Sequence, residues 1–288
     1  MSVFDKPSIN EISCSVSATP TISQRNITTY LSIDEFIPTN YPFLLRDFKK
    51  MNDEQRIQIL EGFSWRIIKS KSKWVRRQTI VGLIVNDFLG LMSGDIQGLL
   101  LNKSLLYHVI KLLLYISEDS YGNKVLFRNG GLYKEIVELL PEVHQDKNYV
   151  CLAVLLEILQ NIWHNREILL ELIHLKIIDI CVNQLLEDKA VVNNEDILES
   201  IVTLLLNATS LEEGLNAYEE QINIFFTLSE AFKVTNDSNR NLIGAIIYAL
   251  VGRKTMWKFA HDAKLPNFIE DLITIDTRSN KQQLKLIQ

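Results

Sequence analysis

Glycine and proline are scarce, at 11 and 6 in 288 residues. Sheets and sandwiches turn often, and their turns recruit both residues for steric reasons. A chain this poor in them, yet 47% hydrophobic, predicts helices joined by short connections. No stretch approaches the roughly 20 apolar residues that cross a bilayer, so no transmembrane segment is expected. The opening MSVFDKPSINEIS lacks the basic start and apolar core of a secretory leader. Cysteine is equally sparse: Cys14, Cys151 and Cys181 are odd in number and carry no CxxC spacing. That argues against structural zinc and for a reducing compartment. Neither sign of charge dominates, and a net charge of −5 does not mark a nucleic-acid binder.

Catalytic signatures are also missing. There is no Walker A sequence, no glycine-rich phosphate loop, no nucleophile elbow and no general-base pair. His108, His144, His164, His174 and His261 are scattered, and His164 and His174 lie too far apart for one metal site on a helix. The expectation is a protein that is not an enzyme, with no catalytic residue, cofactor, metal or small-molecule substrate.

What is present is a repeat. Residues 1–41 mix Ser, Thr, Asn and Ile with Pro7, Pro20 and Pro38, and read as an irregular arm. The cluster Tyr41, Phe43, Leu44, Leu45 and Phe48 is apolar enough to dock as a cap. From about Asn52 the apolar spacing becomes helical. Ile116, Ile162 and Ala208 close three successive apolar helices at intervals of 46 residues, and Leu250 closes a fourth 42 beyond Ala208. Each is followed by a polar cluster, a short helix and a second apolar helix that starts near Leu132, Ile178 and Ile224. An earlier, weaker unit covers 53–95. About five units therefore fill 42–276, followed by a polar tail over 277–288.

The second apolar helices carry broad greasy faces, such as Ile177, Ile178, Cys181, Val182, Leu185 and Leu186. One three-helix unit cannot cover such a face, so neighbouring units must stack on it. Gly130 and Gly131 sit at the corner before one of these helices, where a positive φ is expected.

These blocks, RNGGLYKEIVELL most clearly, resemble armadillo repeats. RRQTIVGLIVNDFLG, ILESIVTLLLNATS and LIGAIIYALVGRKTMWKFAHDAKLPNFIEDLI are also similar, in order and spacing, to the C-terminal armadillo region of LisH-bearing ciliary proteins. The resemblance spans roughly residues 60–275 and implies an all-α solenoid. It further implies a cytoplasmic, cytoskeletal scaffold at the cilium or basal body, with ciliary proteins or microtubules as partners. The LisH segment and coiled coil of that family have no counterpart here, so its dimerisation is not implied.

Two sets of candidate binding residues stand out. Trp65 to Arg77 holds Arg66, Lys69, Lys71, Lys73, Arg76 and Arg77, and no acidic residue occurs between Gly62 and Asn86. Such a run could grip an acidic protein, a microtubule or a lipid headgroup; nucleic acid is not expected. It would also serve as a solvated face whose tryptophans belong to the core. Asn161, Trp163 and Asn207 are groove candidates, because Asn amides can pair with a peptide backbone. Their spacing is not the regular ladder of nuclear import adaptors, and a role in bonding the helix ends competes with it. The acidic residues Glu212, Glu213, Glu219 and Glu220 read as a solubilising edge. The sequence thus points to a protein-interaction scaffold. A peptide-binding adaptor in transport and a regulatory subunit of an enzyme complex are the other readings.

Overall fold

The structure, a computed structural model, describes residues 41–46, 48–85, 102–129 and 131–265. The described residues are helical and contain no strand. The first unit comprises a short α1 (Tyr41–Arg46), a 3-10 turn (Phe48–Lys50), α2 (Asp53–Lys69) and α3 (Lys73–Val85). The second holds α4 (Lys103–Ser117), α5 (Ser120–Gly122) running into a π-helical segment (Asn123–Asn129), and α6 (Tyr133–Gln145). The third holds α7 (Tyr149–Ile162), α8 (Arg166–His174), and α9 (Ile177–Ile180) with its π extension (Cys181–Leu185). A connecting turn, α10 (Lys189–Val192), leads to the fourth unit: α11 (Glu195–Ala208), α12 (Glu212–Glu219) and α13 (Ile224–Val234). The fifth holds α14 (Asp237–Val251), a 3-10 turn (Lys254–Met256) and α15 (Trp257–Asp262).

One residue type begins every leading helix. Asn52, Asn102, Asn148, Asn194 and Asn236 are the N-caps of α2, α4, α7, α11 and α14. Each side-chain oxygen accepts a backbone N–H of the first turn, at 2.9–3.3 Å. A helix start leaves those donors unpaired, and an Asn cap contributes about 1 kcal/mol by meeting one of them. Asn102, Asn148 and Asn194 are 46 residues apart and Asn236 is 42 further on, the same intervals as the apolar anchors. From α4 onward the repeat is thus marked at the start of each leading helix by its cap and near the end by its apolar anchor.

The five leading helices pack in sequence, α2 on α4, α4 on α7, α7 on α11 and α11 on α14. The short helices follow suit, with α3 against α5 and α8 against α12. Seven residues after each cap lie Ile59, Val109, Leu155, Ile201 and Ile243, all buried. Eleven residues after each cap lie Phe63, Leu113, Leu159, Leu205 and Ile247, which are buried as well. This period is what an α-helix needs to keep one apolar stripe inward.

The apolar cluster beginning at Tyr41 does cap the first unit. Tyr41, Leu44 and Leu45 are buried, and the Tyr41 ring meets Phe63 edge-on with centroids 4.9 Å apart. The ring lies over Gly82, where an added Cβ would come within 2.2 Å of it, so only glycine fits. Gly131 has the expected positive φ of 71°. At the corresponding corners Lys176 and Lys264 adopt left-handed φ values of 61° and 54°. Gly130, the arm over 1–40, Cys14, the end of the early unit (86–95) and the tail over 277–288 lie outside the described residues. Cys151 and Cys181 are free and buried, and burial pushes the Cys181 thiol up to about 12.

Candidate interaction surface

The leading helices pack each on the next, and each keeps one flank exposed or half-buried; these flanks are called the outer strip. Glu61, Lys111, Glu157, Thr203 and Ala245 occupy the ninth position after their caps and are exposed or half-buried. Sixteen residues after the caps come Ile68, Glu118, His164, Ser210 and Gly252, all exposed. On α4 the Lys111 ammonium lies 5.2 Å from the Tyr107 ring centroid. Hydrogen bonding to Tyr107, then the nearby Tyr115, raises its pKa against the opposing effect of burial. The strip is chemically mixed: aromatic and basic on α4, acidic on α7, small on α14.

Where α4 ends against α7, the strip opens into a cleft of about 450 Å³, lined among others by Ser117, Glu118, Asn123, Lys124, Asn161 and His164. Its floor is a hydrogen-bonded seam between units. Asn161 donates to the Ser117 hydroxyl at 2.9 Å, and Asn123 donates to the Asn161 carbonyl at 2.8 Å and the Ser117 carbonyl at 3.1 Å. Burial pushes the Glu118 carboxyl above the ordinary range; Glu157 adds to the shift and Arg76 opposes it.

The three groove candidates sit in three different settings. Trp163 is 3% exposed and belongs to the core. Asn207 donates to the Thr203 carbonyl one turn back, at 2.9 Å. Asn161 is engaged in the seam, at the edge of the cleft. The two amides thus bond a helix-end carbonyl and a neighbouring unit, while the indole packs inside.

The basic segment divides in two. Arg76 donates from Nε to the Ile67 carbonyl at 3.1 Å, closing the end of α2. Arg77 reaches the next unit, with Nη2 at 3.4 Å from Asp119 Oδ1 and 3.3 Å from Ser120 Oγ, and its guanidinium stands 5.5 Å from the Tyr121 ring centroid. Arg66 is half-buried beside Tyr41. Lys69, Lys71 and Lys73 are exposed and make no hydrogen bond or ion pair among the described residues. Neither tryptophan of the segment serves the core: Trp65 is 49% and Trp74 69% exposed.

Part of the acidic edge is likewise a tie between units. Arg253 meets Glu219 at 2.6 Å, Glu212 at 2.9 Å and Asn216 at 3.0 Å, and Thr255 donates to Glu219 at 2.8 Å. The hydrogen bonds from Thr255 and Arg253 hold the Glu219 carboxyl below its usual range. A second tie joins His144 and Tyr149 to Asp188, at 3.0 and 2.8 Å. Nothing in the sequence alone pairs these residues, since their partners are about forty positions away. No group of three or more His, Cys, Asp or Glu able to hold a metal occurs among the described residues. No described helix is long and apolar enough to cross a membrane.

Compared with known proteins, the chain matches no family model, no curated protein and no solved structure.

Proposed function

We propose that the chain is an armadillo-type α-solenoid acting as a non-enzymatic protein-binding scaffold, with the outer strip of α2, α4, α7, α11 and α14 as its contact surface. The observation that carries this reading is the row of five Asn-capped helices, each packed on the next. Units that stack one on the next build an elongated, preformed surface. Such a surface does not have to order itself on binding, which lowers the entropic cost of an extended contact. The mixed strip, with Tyr107 and Lys111 on one helix and Glu157 on the next, gives partners both apolar and charged footholds.

The test is affinity purification from the native cell with three chains compared. Wild type and a variant altered on the opposite side of the array should return one partner set. A strip variant, Tyr107→Glu with Glu157→Lys, should lose it. An unchanged partner set in the strip variant sinks the proposal. Recovery of a stoichiometric catalytic subunit would favour the regulatory-subunit reading instead. The basal-body placement rests on the resemblance to the LisH-bearing ciliary proteins, and imaging a tagged chain in ciliated cells tests it; uniform cytosolic or nuclear signal counts against it.

A further inference from the structure

We infer that the corner between α2 and α3 is a docking surface for an anionic phospholipid bilayer. The geometry assembles six exposed side chains at one place. Trp65, Ile68 and Lys69 lie on the last turns of α2, with Ile68 43% exposed. Lys71 sits in the connecting turn, which the Ser70 hydroxyl closes by donating to the Ser72 carbonyl at 3.1 Å. Lys73 and Trp74 open α3, and the Arg76 bond to Ile67 holds that first turn against the end of α2. Three uncommitted ammonium groups therefore stand beside three exposed apolar side chains, on a stretch without a single carboxylate from Gly62 to Val85.

The division of labour among the cations decides the kind of partner. The arginines, whose planar forks suit bidentate recognition of a carboxylate or phosphate, are turned to structural work. What remains is lysine, a flexible point charge that is depleted in protein interfaces but suited to a diffuse anionic surface. Tryptophan prefers the boundary between headgroups and acyl chains, and Ile68 has a place there that a nucleic-acid backbone would not offer. The rest of the chain is acidic on balance, yet the corner lies at the first leading helix among the described residues. Charges beyond about 8 Å are largely screened at physiological salt, so the acidic units need not oppose an end-on contact.

Flotation of the full chain with vesicles tests the inference. Vesicles containing phosphatidylserine should carry the protein up, salt should release it, and phosphatidylcholine vesicles should leave it behind. Each lysine at such a surface is expected to contribute about fivefold in partitioning. The triple variant Lys69→Ala/Lys71→Ala/Lys73→Ala should then lose about a hundredfold. Trp74→Ala should weaken partitioning while leaving its salt dependence intact. Indole fluorescence should shift to the blue on the anionic vesicles in wild type and less so in Trp74→Ala. Trp163, already buried, supplies a constant background. Equal flotation of the triple variant would overturn the inference, as would equal flotation on neutral vesicles. So would saturable binding of an acidic tubulin-tail peptide or of inositol hexakisphosphate by a chain that ignores vesicles. Those two results would assign the corner to a protein and to a soluble phosphate, respectively.

Discussion

Helices α2 and α7 hold equivalent places in the row, yet the thirteenth residue after the cap fares differently in each. On α7 it is Asn161, whose amide reaches back to Ser117 on the preceding helix. On α2 it is Trp65, half exposed, with no leading helix before it among the described residues. The opposite flank shows the same contrast at the other end. The eighth residue after the cap is buried in four helices, as Leu60, Ile110, Leu156 and Val202. In α14 it is Gly244, and a Cβ added there would meet nothing within 4 Å among the described residues. In a stacked array a residue's environment depends on whether its helix has a neighbour on that side, as much as on its own helix. Polar or surface-active residues therefore collect at the ends. The fourth residue after the cap is buried Leu in the three inner helices, and Arg56 and Arg240 in the first and last.

The largest effect should come from breaking the interior side of this comparison. Leu156→Ala removes a side chain that is 1% exposed, between α7 and its neighbours, and should cost about 2–5 kcal/mol in chemical denaturation. Loss confined to a few tenths of that would mean the inner helices are not mutually buried. Next comes Gly82→Ala in the cap of the first unit. The new methyl group collides with the Tyr41 ring, and displacing that ring should cost about 1–3 kcal/mol. A Tyr41→Ala/Gly82→Ala double variant should lose less than the two single changes predict together, because the clash is then gone.

Much of this architecture was legible beforehand, and the failures have physical causes. The anchors Ile116, Ile162, Ala208 and Leu250 gave the repeat because buried positions must recur at helical spacing. The capping residues Asn102, Asn148, Asn194 and Asn236 repeat at the same intervals as the anchors, just before apolar-periodic helices, so this signal was present. Asn102 and Asn236 also begin N-x-S/T triplets, a coincidence that carries no structural information. Exposure was harder to read. Trp163 looked like a groove residue and is buried; Trp65 and Trp74 could have served the core and are exposed. Local pattern cannot say on which side of a helix the next unit will pack. The split between structural arginines and uncommitted lysines was equally hidden, because Arg77 finds its partners 42 and 43 residues away.

A smaller effect distinguishes the cap from the apolar stripe. Asn148→Ala should cost about 1 kcal/mol, by leaving the Cys151 N–H without its acceptor. Asn148→Asp should recover most of it, since a carboxylate accepts the same bond and favours a helix N-terminus. The tie at Asp188 should make part of the stability depend on pH. Burial pushes that carboxyl up, but hydrogen bonds from the Ala190 N–H, Tyr149 and His144 outweigh it, and the folded pKa is lowered. A group depressed in the folded state contributes fully above its unfolded pKa and loses that contribution as pH falls through the folded one. The stability gap between wild type and Tyr149→Phe should therefore narrow as pH falls through the Asp188 range, because the variant has less of this contribution to lose. Parallel curves for the two chains would remove Asp188 from the account.

The smallest effect tests the last leading helix among the described residues. Gly244 stands in the middle of α14, where glycine costs a helix about 0.5–1 kcal/mol relative to alanine. At the matching position in α7, shortening Leu156 to Ala opens a cavity. At Gly244 the same alanine meets no neighbour among the described residues. Gly244→Ala should therefore raise stability by about 0.5–1 kcal/mol through helix propensity alone. Tyr248, one turn on and 83% exposed, gives the control, because Tyr248→Ala should change stability little. If Gly244→Ala destabilises the chain instead, something packs tightly against that flank in solution. The thermal shift would then depend on protein concentration if the covering surface were a second copy, and would be independent of it if the chain covers itself.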